Sequence, residues 1–163
     1  PGGEGFPDLT IIYDNNDNQK LIMEALQSMW KQHLGIKISL QSMEWKVLLK
    51  TRKTKDYQIA RNRWIGDYMD PNTFLDLYQT ASAFNHTNWG NQRYDELIKL
   101  AETTTNNKKR FGYFAEAEKI LLEAAPIIPV FTFTQPAMVS RRLEGFYQNL
   151  QDNHPLKGVK LLD

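Results

Sequence analysis

The sequence contains no cysteine. That removes thiol nucleophiles, structural disulfides and cysteine-based zinc sites. It leaves the compartment open, because many exported proteins also lack cysteine. Histidine is scarce, at His33, His86 and His154. None of them stands in a His-x-x-x-His or Glu-x-x-His spacing, so no metal and no cofactor is expected. Gly-x-Ser-x-Gly, Gly-x-Gly-x-x-Gly and the phosphate loop are all absent. An excess of one charge is missing too: 20 Lys and Arg against 19 Asp and Glu leave +1. Such a balance sets up no field that would draw in nucleic acid or an anionic membrane. No apolar run approaches the ~20 residues that span a bilayer. No charged-then-apolar signal segment opens the chain, so an exported protein would be expected to carry its signal outside this stretch.

Rings are abundant. Aromatic residues make up 12% of the 163, so a core or a ligand surface rich in rings is expected. The length suffices for one domain with a real core. Periodicity divides the first half into alternating elements. Residues 1–7 are rich in Gly and Pro and read as a loop, and residues 9–13 as a strand. A helix over 17–34 carries the stripe Ile22, Leu26, Met29, Trp30 and His33, with Asp17 as its N-cap and Gly35 as its left-handed stop. Residues 36–40 alternate as a second strand. Residues 44–53 form a short helix with Trp45, Leu48 and Leu49 inward and its cations outward. A third strand starts at Tyr57 and reaches Trp64 and Ile65. Strand, helix, strand, helix, strand with short connections predicts right-handed crossovers and a parallel sheet.

The second half reads as more helical. Residues 81–93 are polar and turn-rich, hence a surface loop. Tyr94, Leu97, Ile98 and Ala101 mark one helix. Residues 108–125 mark another, with Phe111, Phe114, Ala117, Leu121 and Ala125 facing in. Residues 127–133 predict a strand near an edge because of Pro129, and 136–142 one more short strand. The tail from Glu144 is irregular until residues 159–162.

The informative stretch is residues 57–78, YQIARNRWIGDYMDPNTFLDLY. Asp70-Pro71 reads as a cap followed by the first residue of a helix that carries Phe74, Leu75 and Tyr78 on one face. Arg61, Trp64, Asp67 and Tyr68 therefore fall at or just beyond the carboxyl end of a strand, where open α/β sheets bind ligands. A cation, an indole, a carboxylate and a phenol suit a zwitterionic, partly apolar ligand. Plainer readings stand beside this one. Arg61 could be a strand-end ion pair, Trp64 a core ring and Asp67 a loop residue. Asp67 with Asp70 has the composition of a glycosidase carboxylate pair, although Asp70 reads as a cap. His33 reads as a packing residue, and the cations of residues 46–55 as the solvated face of a helix rather than a nucleic-acid contact.

Taken together, Glu44-Trp45-Lys46, Ile59-Ala60-Arg61, Trp64, Asp67-Tyr68, Asp70-Pro71 with Phe74-Leu75, Asn88-Trp89 and Ile127-Ile128-Pro129-Val130 resemble the C-terminal lobe of the oligopeptide-binding proteins. These are the extracellular solute-binding proteins, family 5, of peptide ABC importers. The resemblance implies a type II periplasmic-binding-protein-like lobe with a mainly parallel mixed sheet flanked by helices. It implies a peptide-capturing protein, not an enzyme, in the periplasm or on the outer face of the bacterial cell membrane. Its implied partners are an oligopeptide and the membrane permease subunits, with no nucleic acid. By the same resemblance Asp67 pairs with the peptide's α-ammonium and Arg61 meets the carboxylate of shorter peptides. Trp45 and Trp64 line side-chain pockets, and Tyr68 lies beside them. The resemblance further implies that residues 1–163 are a partial C-terminal lobe, with 155–163 crossing toward a missing N-terminal lobe. The alternative is a carboxylate-dependent hydrolase acting on sugar or peptide through Asp67.

Overall fold

In the computed structural model, which describes residues 2–134, 136–149 and 151–163, the strand β1 (Leu9–Asp14) is central to a three-stranded sheet. Its parallel neighbours are β2 (Ile38–Met43) and β3 (Ile59–Ala60), in the order β2-β1-β3. Ile11, Ile12 and Tyr13 are all buried, so β1 is covered on both faces, which is why it reads as an unbroken apolar run. Two helices, α1 (Asp17–Leu34) and α2 (Trp45–Thr54), both contact it. Ile11, Tyr13 and Ile38 pack with Met23 of α1, and Ile22, Leu26 and Trp30 close around them.

Local chemistry sets the boundaries of α1. Its N-cap is Asn16, not Asp17: Asn16 is extended and its side chain accepts from the Asn18 N–H at 3.0 Å. Asp17 instead falls in the first turn, where a carboxylate favours the helix dipole. Gly35 ends the helix at φ 69° and donates its N–H to the Lys31 carbonyl. A Cβ there would collide with the Gly2 carbonyl, so both conformation and space demand glycine. The buried stripe runs through Gln19 and Met23, while Met29 and His33 are exposed. The core role expected of His33 is therefore overturned.

Further differences lie nearby. β2 occupies 38–43 rather than 36–40. In α2 only Leu48 (0% exposed) and Arg52 are buried, whereas Trp45 and Leu49 face outward. Glu44 caps this helix by accepting from the N–H groups of Lys46 and Val47, which puts Trp45 in its first turn. β3 ends at Ala60, its two residues pairing with Ile11 and Ile12 of β1. Trp64 and Ile65, expected to extend this strand, lie outside it.

The chain divides into two compact units, Pro1–Arg63 and Trp64–Asp163. The second unit is built on α3 (Asn72–Leu75), a 3-10 turn (Asp76–Tyr78), α4 (Gln92–Thr103) and α5 (Asn107–Ala124). Tyr94, Leu97, Ile98 and Ala101, the expected inward face of α4, are each 0% exposed. They pack with Leu75 and with Phe114, Ala117 and Leu121 of α5. Phe111 and Ala125 are exposed, contrary to expectation, and Ala125 is the left-handed cap of α5. The helix expected after Pro71 is one short turn, with Thr73 and Leu75 buried and Phe74 not, followed by the 3-10 turn in which Leu77 is buried. Two expected strands are overturned: residues 127–133 and the described residues of 136–142 form none. A short antiparallel pair forms instead, β4 (Leu143–Glu144) with β5 (Lys160–Leu161). Residue 1 of the expected opening loop and residue 150 of the expected irregular tail lie outside the described residues.

Candidate functional site

In the first unit the candidate residues gather at the carboxyl ends of the parallel strands. Asp14 closes β1, Arg61 follows β3 directly, and Trp45 opens α2 two residues after β2. The Arg61 N–H donates to the Ile12 carbonyl at 2.8 Å, continuing the sheet ladder by one residue. Its guanidinium donates to Asp14 Oδ1 at 3.1 Å, and both side chains are mostly buried. Burial, with Arg63 and Arg52 nearby, holds the Arg61 pKa down, and the Asp14 carboxylate offsets only part of that. The strand-end ion pair is thus real, and it uses one of the five donors of the guanidinium. Trp45 presents its ring with 42% of its surface exposed.

In the second unit Trp64, Asp67 and Tyr68 line one pocket of about 280 Å³, together with Thr73, Asp76 and Phe84. Trp64 meets Phe84 edge to face, with ring centroids 5.2 Å apart. The Trp64 Nε1–H is closed off from solvent and has no acceptor among the described residues. Asp67 is held through its backbone at both ends: its N–H donates to Thr73 Oγ1 at 3.0 Å, and its carbonyl accepts from Gln151 Nε2 at 2.6 Å. Its side chain is exposed. The Tyr68 hydroxyl accepts from Asn72 Nδ2 at 3.3 Å and hydrogen-bonds to Asp76.

Asp70 does not join Asp67 as a second catalytic carboxylate. Arg110 grips it with two bonds, at 2.5 and 2.9 Å, and it also accepts from the Asn72 N–H. Those bonds, the Arg110 ones foremost, hold its pKa below the usual carboxylate range. A general acid needs the opposite shift, so Asp70 does not complete a glycosidase-type pair with Asp67. Asp70 also accepts at the entry to α3 as the sequence predicts, although the residue in the N-cap position is Pro71.

Sequence reasoning missed several residues that build this pocket. Asn85, in the loop expected to be mere surface, is buried. Its Nδ2 donates to the carbonyls of Tyr78, Gln79 and Trp89, and its Oδ1 accepts from the N–H and hydroxyl of Thr87. That clasp folds Phe84 onto Trp64. An Asn two residues before a Thr in a turn-rich stretch is the one local signal that could have pointed to it. Thr73, Asp76, Phe84 and Gln151 carry no sequence signal of a site.

The profile of the bacterial extracellular solute-binding proteins, family 5 Middle, matches residues 2–86. The dipeptide-binding protein DppE of Bacillus subtilis (strain 168) is 36% identical over 156 residues, which is 96% of this chain and 28% of the length of DppE. The solved structure of the Escherichia coli murein tripeptide binding protein MppA superposes with a TM-score of 0.83 at 33% identity, over 96% of this chain and 31% of that one. Haemophilus influenzae OppA, solved in complex with the peptide RPPGFSPFR, superposes at 0.82 and 29% identity, over 96% and 31%. This chain therefore spans about a third or less of the relatives it matches. Its parallel sheet flanked by helices is the type II periplasmic-binding-protein architecture of those structures. With more than half of its residues covered by the family profile and its fold shared with these relatives, the chain belongs to the bacterial extracellular solute-binding proteins, family 5.

Proposed function

We propose that this chain serves peptide capture by the extracytoplasmic solute-binding protein of an ABC importer, acting in the periplasm or on the outer face of the cell membrane. The observation that carries the reading is Asp67: an exposed carboxylate, anchored through its backbone on both sides, on the wall of a ring-lined pocket. An ammonium brought against it forms a charge-assisted hydrogen bond. Rings of the size of Trp64 and Tyr68 give a roomy, tolerant surface for varied side chains. In the first unit, Arg61 retains donors beyond the one that Asp14 takes and offers them to a ligand carboxylate, while the exposed Trp45 ring offers a second apolar surface. The relatives named above bind dipeptides, a murein tripeptide and the peptide RPPGFSPFR, which supports a peptide as the ligand. Permease subunits of the importer are the proposed membrane partners.

Calorimetry on the protein expressed from its complete reading frame, with a panel of tri- to pentapeptides, tests the reading. Saturable binding is expected, with every peptide recovered intact by mass spectrometry after prolonged incubation. Cleaved peptide would favour the hydrolase alternative instead, and no binding across the panel would end the peptide reading.

A further inference from the structure

Asp76 plays no part in the reading above, yet its side chain lines the same pocket as Asp67. Different pieces of chain deliver the two carboxylates. Asp67 stands on the segment tied to Thr73 and Gln151, and Asp76 opens the 3-10 turn after α3. Tyr68 hydrogen-bonds Asp76, and among the described residues the charged groups acting on Asp76 are Glu102 of α4 and Asp67, both acidic. Burial first, then those two neighbours, push its pKa up. The remaining surface includes the Trp64 and Phe84 rings and Leu77. Two carboxylates facing one ring-lined cavity are what a cationic guest pairs with. Aromatic faces add cation–π attraction for the same guest. At about 280 Å³ the cavity lies near the lower bound of small-ligand pockets, roughly 300 Å³. That is room for one long side chain rather than for several residues.

We propose that Asp76 is a specificity-determining residue of this pocket, selecting a peptide whose first residue carries a second cationic centre: lysine, ornithine or arginine. The α-ammonium pairs with Asp67, the side-chain cation with Asp76, and the methylene stem lies along the rings. This rests on the peptide reading given above.

Calorimetry with Lys-Ala-Ala and norleucine-Ala-Ala, which share stem length and differ in charge, tests the proposal on the protein expressed from its complete reading frame. The wild type should prefer the lysine peptide by about tenfold, the size of one charge-assisted hydrogen bond. In Asp76→Asn the ratio should fall to within about twofold, since the carboxylate supplies the discrimination. Should that variant fail to fold, Asp76→Ser takes its place with the same expectation. A wild-type ratio near one overturns the proposal while leaving the peptide reading intact. So does a ratio that survives removal of the Asp76 charge. If neither peptide binds the wild type, nor any peptide of the wider panel, the peptide reading falls and the proposal with it.

Discussion

Replacing Asn85 by Asp changes almost nothing in shape and should nevertheless cost more than replacing it by Ala. Asn85 Nδ2 faces three carbonyls, those of Trp89 at 2.9 Å and of Tyr78 and Gln79 at 3.2 Å each. Its Oδ1 takes two bonds from Thr87, at 3.1 and 2.7 Å. At ~1 kcal/mol net per bond, and more where a buried group is left unmatched, Asn85→Ala should lose about 2–4 kcal/mol. Asn85→Asp keeps both Thr87 bonds. It removes every donor toward the three carbonyls and places a charge in a site that is only 6% exposed. Turning an attraction into a repulsion and leaving the charge without a partner should bring the cost to roughly 3–5 kcal/mol at neutral pH. The order reverses in acid. The introduced carboxyl has its folded pKa raised above its unfolded value of ~3.9, so its stability penalty is absent below the unfolded pKa and grows as pH rises through the folded one. Urea unfolding followed by tryptophan fluorescence at pH 7 and in mild acid reads both effects. An Asp variant at least as stable as the Ala variant at pH 7 would refute the donor assignment and, with it, the account of how the Phe84 side of the pocket is held.

Tyr94→Phe should lose about 1–3 kcal/mol in denaturant unfolding, because the hydroxyl of a fully buried ring donates to the Leu75 carbonyl and leaves that acceptor orphaned; an unchanged midpoint would show that the bond contributes nothing. Asp70 has its folded pKa lowered by Arg110, so its contribution is full above the unfolded value of ~3.9 and disappears as pH falls through the folded one. Acid titration of Asp70→Asn should accordingly show a shallower loss of stability below about pH 4 than the wild type, and parallel curves would count against the pairing. Asp76 is shifted the other way: its stability contribution is complete below the unfolded pKa and lost as pH rises. Asp76→Asn should therefore raise the unliganded protein's thermal midpoint at pH 7 and leave it unaltered at pH 3, and a lowered midpoint at pH 7 would place Asp76 in a structural role.

Much of this fold is legible where a helix has one dominant partner. The residues read as the inner face of α4 are all fully buried, and α1 spans the expected residues, stopped by Gly35 and capped at Asn16, one residue before the Asp17 expected. Legibility fails where burial depends on a neighbour that local pattern does not reveal. Residues 127–133 form an apolar run that reads as an edge strand, but a strand also needs a hydrogen-bonding partner, and Ile128, Val130, Phe131 and Phe133 stay exposed. β3 stops at Ala60 although β1 runs on to Asp14, and Trp64 lies beyond it as a pocket wall. The candidate site shows the same limit. Trp64, Asp67 and Tyr68 lie close in sequence and share a pocket, whereas Asp76 and Phe84 reach it only through α3 and the Asn85 clasp. Asp70, three residues after Asp67 in the chain, turns instead toward Arg110 from α5.

The central claim is that Asp67 holds a peptide's α-ammonium. Calorimetry on the protein expressed from its complete reading frame, comparing one tripeptide in free and N-acetylated forms on wild type and Asp67→Asn, tests it most directly. The account predicts that acetylation weakens wild-type binding by about ten- to a hundredfold, the size of a charge-assisted bond lost on burial. It predicts that the variant binds the free and acetylated peptides within about threefold of each other. Equal affinity of the wild type for both forms, or an acetylation penalty that persists undiminished in Asp67→Asn, would contradict it.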